Sequence, residues 1–336
     1  MSAIHSPGAP PRPLTLPPRA IDCRDIQVET VVFIVGSDFV DILFSTNSDD
    51  QIEAGKGNDV VIGSLGSDTI FGGEGFDSIS YAALFSPITV NAFGMITSQS
   101  SPEKTQLWSV ERIIASSSSN DRIDASLADS LQGSVVIDLS SGTVFVPLAS
   151  QTINVSGFEN VTSTNQDDSV IGNSLANFFE LRGGNDIGGG GMGNDIILGG
   201  DGNDSLFGGQ GEDRLTGGLG ADFIKGGLGI DTFKYADTQE SSLETGIDRI
   251  TDFQANEVID LSLIDPFSYT VANESFSWLG LLQGDLRAPQ VGTVGYRQTQ
   301  SGITLFASVA ESSTSIHVLE LNIAGISFMS AFNVLL

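Results

Sequence analysis

The chain of 336 residues has one cysteine, two histidines and only 14 lysines and arginines. A lone cysteine, Cys23, cannot close an intrachain disulfide, so the fold is not a disulfide scaffold. His5 and His317 are the only histidines, far apart in the chain, and cannot furnish the paired histidines of an HExxH zinc helix. No GxSxG is present, and Cys23 lies beside a proline-rich segment with no base near it, which removes the common nucleophilic arrangements. His317 sits in an alternating apolar and polar stretch and reads as a structural histidine. Against the few basic residues stand 42 aspartates and glutamates, a net charge of 14 − 42 = −28. Such a chain repels phosphate backbones, so no nucleic-acid partner is expected. Long apolar runs are also missing: Val31–Val35 falls far short of the roughly 18 residues a membrane-spanning helix needs, so the chain is not expected to span a bilayer. The N-terminal stretch has no apolar core of signal-peptide length.

What is abundant is glycine, at 40 residues, in a chain that is also 40% apolar. That apolar content is too high for a disordered acidic polymer. Six of the 11 prolines precede Ala20, which marks residues 1–26 as a disordered or extended lead-in. Between Ser163 and Lys234 the sequence repeats every nine residues, as in GGMGNDIIL (190–198), GGDGNDSLF (199–207), GGQGEDRLT (208–216), GGLGADFIK (217–225) and GGLGIDTFK (226–234). The same register appears in residues 36–80, as in AGKGNDVVI (54–62) and GGEGFDSIS (72–80).

Each unit reads Gly-Gly-x-Gly-x-Asp-x-apolar-x. The glycines permit a tight six-residue turn with carbonyl oxygens aimed inward, and position six adds a carboxylate. The last three residues suffice for a short strand whose position-eight side chain faces inward. Those positions are Leu43, Ile52, Val61, Ile70 and Ile79, then Val170, Phe179, Ile197, Leu206, Leu215, Ile224 and Phe233. One coil takes eighteen residues, so two thin parallel sheets enclose this ladder, and turns two units apart stack. Stacking places Asp186, Asp204 and Asp222 on one edge and Asp195, Asp213 and Asp231 on the other. Carboxylates at the strand spacing of roughly 5 Å repel one another unless neutralised. A hard divalent cation with six to eight oxygen ligands resolves this, and irregular carbonyl-rich cages suit Ca2+ better than Mg2+.

In these repeats the sequence resembles the RTX, or haemolysin-type, calcium-binding family, which implies a parallel β-roll with calcium held between turns. The expected metal ligands are Asp41, Asp50, Asp59, Asp68 and Asp77 in the first block, and Asp168, Asp186, Asp195, Asp204, Asp213, Asp222 and Asp231 in the second. Turn carbonyls such as those of Gly190, Gly199, Gly208, Gly217 and Gly226 complete the sites. Several units depart from the pattern: position six is Asn177 in GNSLANFFE, position eight is Gly188 in LRGGNDIGG, and STNSDDQIE lacks all three glycines. About three sites are expected in the first block and about five in the second.

The fold class expected is all-β: a parallel β-roll in two blocks joined by irregular β-solenoid coils, with a C-terminal β cap. The blocks are 27–80 and 163–234, with an irregular insert at 81–162 and the cap at 235–336. Within the insert, VERIIASSSSNDRI (110–123) echoes FENVTSTNQDDSVI (158–171), with Glu111 and Glu159 forty-eight residues apart. TGIDRITDFQANEVIDLSLID (245–265) resembles the segment following the roll in serralysin-type C-terminal domains, where it covers open sheet edges. Residues 266–336 alternate apolar and polar positions and suggest a small antiparallel layer. The terminal Phe332-Asn333-Val334-Leu335-Leu336 resembles an uncleaved type I secretion signal, with Asn333 where the family has an acidic residue.

The function expected is a secreted, extracellular, non-enzymatic calcium-binding protein that folds on Ca2+ after passage through type I secretion machinery. Its open partner is an extracellular glycan or cell-surface ligand. Two alternatives stand beside it: the export and calcium-binding part of an exoenzyme such as a protease, lipase or epimerase, or a calcium-dependent adhesin or surface-layer component.

Overall fold

A computed structural model describes residues 20–21, 31–91, 94–99, 101–131, 133–147, 151–264, 277–281, 291–310, 316–324, 326, 329 and 333–335. The proline-rich lead-in, 1–26, lies outside them except for Ala20–Ile21, which pair in parallel with Ile42–Leu43.

The eighteen-residue coil expected from the repeat is what the chain forms. Strand Ile196–Asp201 pairs in parallel with Arg214–Leu219, residue for residue at a separation of eighteen, and Ser205–Gln210 pairs likewise with Phe223–Leu228. Successive units alternate between two parallel sheets. The strands are longer than the three residues the pattern predicts, running through the Gly-Gly pair to position three, because those peptides also pair between coils. All twelve expected position-eight side chains are buried, none more than 3% exposed. Burying each stabilises the fold by about 1.5–3 kcal/mol. Where Gly188 leaves this ladder without a side chain, Leu181 fills the space: a Cβ on Gly188 would meet Leu181 Cδ1 at 2.8 Å and Ile197 Cγ2 at 3.2 Å.

The roll continues through the region between the two repeat blocks. In one sheet Arg112–Ile114 pairs in parallel with Ser78–Ser80 on one side and with Asn154–Ser156 on the other. In the other, Arg122–Asp124 joins Thr89–Asn91 to Asn160–Thr162, again in parallel. Each sheet takes up one antiparallel three-strand meander. Ile88–Asn91, Met95–Ser98 and Ser101–Trp108 form the first, and Val136–Asp138, Thr143–Val146 and Gln151–Ser156 the second. In both, the chain enters the meander far along the axis and steps back, so Gln106–Trp108 lies against Thr69–Phe71 and Val136–Asp138 against Ser169–Ile171.

At the C-terminal end Asp248–Ile250 is covered by Ile316–Ala324, to which Gly302–Ala310 and then Thr293–Gln298 add in antiparallel fashion. The neighbouring sheet ends on Val334–Leu335, paired in parallel with Ile259–Asp260. Both sheets of the roll thus continue into C-terminal strands, which cover the edges of Asp248–Ile250 and Ile259–Asp260. Of the terminal pentapeptide read as an export signal, Phe332 and Leu336 lie outside the described residues. No helix among the described residues is long and apolar enough to cross a membrane.

Candidate metal centre

The turn that closes each unit places its position-six carboxylate under the turn of the preceding coil. One oxygen accepts the peptide N–H of the residue eighteen earlier. Asp186 Oδ1 accepts from Asp168 N at 2.7 Å, Asp204 Oδ1 from Asp186 N at 2.8 Å and Asp222 Oδ1 from Asp204 N at 2.8 Å. On the opposite edge Asp195 accepts from Asn177 N at 2.7 Å, Asp213 from Asp195 N at 2.8 Å and Asp231 from Asp213 N at 3.0 Å. The first block repeats this with Asp59 on Asp41 N, Asp77 on Asp59 N and Asp68 on Asp50 N, at 2.8, 2.8 and 3.0 Å. The expected edges are therefore those formed.

The second oxygen decides what the site can hold. In Asp59, Asp68, Asp77, Asp186, Asp195, Asp204, Asp213, Asp222 and Asp231, Oδ2 is buried and has no hydrogen-bond partner. A buried, unpaired carboxylate oxygen costs free energy that a native structure does not leave uncompensated. Burial is the first cause that pushes up Asp59, Asp68, Asp186, Asp195, Asp204, Asp213, Asp222 and Asp231, opposed by the peptide N–H each accepts. The carboxyls of Asp68 and Asp186 rise to about 8, Asp195 to about 7, and Asp204 and Asp213 to about 6, with neighbouring carboxylates adding to the rise. A cation at Oδ2 reverses this by favouring the charged form.

The cradle fits a hard cation. A Cβ on Gly190 would fall against Asp195 Oδ2 and lie 2.6 Å from the carbonyl oxygen of Gly208, the first residue of the unit stacked above. Gly199 stands in the same relation to Asp204 Oδ2 and the Gly217 carbonyl. Carboxylate and carbonyl oxygens thus converge on a space that only the missing side chain keeps open. Among the described residues no group of three or more Asp, Glu, His or Cys side chains converges to hold a metal. What converges at Gly190 and Gly199 is instead one carboxylate and one backbone carbonyl oxygen, a mixed oxygen set that suits Ca2+ better than Mg2+.

Three of the expected ligands are placed in the ladder but differ at the second oxygen. Asp41 Oδ2 accepts from Ser37 N at 2.6 Å and Ser37 Oγ at 2.8 Å. Asp50 Oδ2 accepts from Thr46 N at 2.5 Å, and its Oδ1 from Thr46 Oγ1 at 3.0 Å. Asp168 Oδ2 accepts from both Thr164 N and Thr164 Oγ1 at 2.8 Å. At the degenerate unit, Asn177 accepts from Asn173 N at 2.9 Å and donates its amide to the Glu159 carbonyl at 2.9 Å.

Five ladder acids escaped the repeat pattern. Glu111 Oε2 accepts from Asp77 N at 2.8 Å, Asp121 Oδ1 from Ile88 N at 2.7 Å, and Glu159 Oε2 from Asp121 N at 3.2 Å. Asp248 Oδ1 accepts from Asp222 N at 2.9 Å, twenty-six residues on instead of eighteen. Glu257 is fully buried in the rung after Asp231, whose carbonyl accepts from Val258 N at 3.0 Å. Asp248 Oδ2 and Glu257 Oε1 are again buried without partners. The forty-eight-residue echo carrying Glu111 and Glu159 was the one sequence signal for any of these. The eight extra residues before Asp248 hid that acid and Glu257, and Asp121 stands outside the nine-residue register.

Fold and site together define a parallel β-roll whose turns stack buried carboxylates, each with one oxygen on a peptide N–H and most with the other unpartnered. The model of the RTX calcium-binding nonapeptide repeat matches residues 35–79 and 198–233, in four copies. These segments are calcium-binding repeats of that type. No curated protein matches the chain. Among solved structures, the AlgE6R3 subunit of the Azotobacter vinelandii mannuronan C5-epimerase is 23% identical, over 51% of this chain and 78% of that one, with a TM-score of 0.28. The AlgE6R2 subunit of the same enzyme is 24% identical, over 52% and 91%, with a TM-score of 0.29. Likeness at that level bears on neither substrate nor activity here.

Proposed function

We propose that the protein is a secreted, non-enzymatic calcium-responsive β-roll, exported unfolded by type I machinery and folded by calcium outside the cell. The observation that supports this reading is the file of buried Oδ2 atoms without partners. Folding without a cation strands all of them, whereas folding around calcium satisfies each with the stacked turn carbonyls. At roughly 10⁻⁷ M cytosolic calcium, sites with dissociation constants of about 10⁻⁴ to 10⁻³ M stay empty. In millimolar calcium, binding free energy becomes folding free energy, and stacking makes the change cooperative because each ion joins two turns. The C-terminal strands serve as the cap of the finished roll, which then displays its faces to an extracellular ligand.

The test is far-UV circular dichroism of the purified chain during a calcium titration, with magnesium as the control. A cooperative gain of β signal near millimolar calcium, absent with magnesium, is the expected result. A chain that is fully folded in chelator and indifferent to calcium refutes the switch.

A further inference from the structure

The carboxylates of the ladder fall into two kinds, and the residue at position two of each unit separates them. Where that residue is Ser37, Thr46 or Thr164, its φ is not in the left-handed region. Its N–H then turns toward the carboxylate four residues on, and its hydroxyl donates beside it. Two aligned dipoles thereby stand where a cation would stand elsewhere in the stack. Asp121 is closed in the same way from position one, Ser116 Oγ donating to both of its oxygens at 2.9 Å. Where position two is glycine, φ is positive, +105° at Gly191 and +112° at Gly200, and Oδ2 of Asp195 and Asp204 accepts no hydrogen bond and stays open. Arg182, at φ 76°, leaves Asp186 open by the same geometry. Ser64 is spent on other partners, its hydroxyl donating to the Thr46 carbonyl and its N–H to Ser45 Oγ, and Asp68 Oδ2 is open too.

The closed rungs fall in two groups, Asp41 and Asp50 at the N-terminal end of the first block and Asp121 and Asp168 farther along. Asp121 and Asp168 bracket the stretch that holds the second meander, and between them Glu159 binds Asp121 N. The interior of this stretch is buried: Val135, Ile137, Phe158 and Val161 are each no more than 1% exposed. Its carboxylates take their donors from the protein, Asp121 from the Ser116 hydroxyl and Asp168 from the hydroxyl and N–H of Thr164. On either side the rungs are open, from Asp59 to Asp77 before it and from Asp186 to Asp248 after it, with Glu257 at the far end of the other edge.

We propose that calcium occupies the open rungs only, including those of Asp248 and Glu257 beyond the repeats, and that the hydroxyl-closed middle, residues 112–171, folds without calcium as the template for both calcium-dependent rolls. The inference rests on the calcium-switch reading and assigns its sites one by one. It removes Asp41, Asp50 and Asp168 from the ligands that the repeat pattern suggests. Cooperative stacking gives the arrangement its use, since each new coil forms on a coil already present and only the first must form unaided.

Hydrogen exchange read by mass spectrometry on the full chain, in chelator and in millimolar calcium, tests this. In chelator, peptides within 112–171 are expected to exchange at least about tenfold more slowly than those of 187–250, which gain protection only with calcium. If 112–171 exchanges as fast as 187–250 in chelator while both gain protection with calcium, the template is refuted and the calcium switch stands. If 187–250 is protected whatever the calcium, the switch itself falls, and the site assignment with it. Two variants sharpen the result by equilibrium dialysis of calcium. Thr164→Gly, which removes the hydroxyl and frees position two to turn left-handed, is expected to add one bound ion and to make protection of 160–171 depend on calcium. Asp248→Asn is expected to remove one ion. An unchanged count in either variant overturns the rule that position two and the open oxygen set occupancy.

Discussion

Replacing Asp204 by asparagine keeps the shape of the side chain and the acceptor for Asp186 N, and removes only the charge at the open Oδ2. In calcium, the variant loses the ion held between the turn of Asp204 and the stacked carbonyl of Gly217. At a free concentration about 100 times the dissociation constant, one ion bound only by the folded state contributes about 2.7 kcal/mol. Urea unfolding across a calcium series measures this directly. The slope of the logarithm of the folding constant against that of calcium concentration should fall by about one, with a loss of about 2.7 kcal/mol at saturation. In chelator the sign reverses. Burial, first, raises the Asp204 carboxyl to about 6, so at pH 8 the fold holds an unfavourable buried anion that asparagine lacks. Residual β structure in chelator should therefore rise. A variant with the calcium slope of the parent, or one less ordered in chelator at pH 8, would refute the assignment of Oδ2 to the cation.

Gly199→Ala puts a methyl group against Asp204 Oδ2 and the Gly217 carbonyl; it should lower the same calcium slope by about one while every carboxylate remains, and an unchanged slope would place the ion elsewhere. Leu206→Ala, at a fully buried position, should cost about 2–5 kcal/mol in calcium-saturated urea melts, and a loss under 1 kcal/mol would mean that the thin core closes over the cavity. Without metal, the raised carboxyls bind protons in the folded chain that they release in the unfolded one. Stability is therefore full below their usual pKa near 4 and is lost as pH rises through about 6 for Asp204 and Asp213, 7 for Asp195 and 8 for Asp186. Circular dichroism in chelator should show β signal growing from pH 8 to pH 5, and the calcium midpoint should move upward over the same range, because protons compete for the same oxygens. A midpoint independent of pH would contradict the burial of these acids.

The period of nine was enough to locate both sheets, the inward ladder and the two acidic edges, because each unit repeats the same local chemistry and a coil contacts only its neighbours. Legibility stopped where a rung is formed by residues outside the repeat. Glu111 and Glu159 reach the ladder after long excursions, and Asp248 after a loop holding Tyr235 and Glu240. The nine-residue spacing cannot reveal such partners, since the stack selects them by position along the axis. The pattern also counts carboxylates without seeing what faces them. Ser37, Thr46 and Thr164 look like ordinary substitutions for glycine, and only the sign of φ and the direction of an N–H show that they close the acid. Gly188 read as a defect in the core, yet Leu181 from the adjoining position occupies its space.

The two meanders carry a constraint on how such a molecule can change length. Each inserts two strands beyond the one that a coil requires, so the first lengthens one sheet by roughly 10 Å relative to its partner. The second, in the opposite sheet, restores the match, and from Ser169–Ile171 and Phe178–Glu180 onward the coils advance together again. Neither excursion is dispensable alone. Deleting 92–105 or 139–150 singly leaves the far half of the molecule out of step, with carboxylates facing the wrong turns. Removing both is expected to restore parity, so the pair, distant in sequence and in opposite sheets, acts as one structural unit.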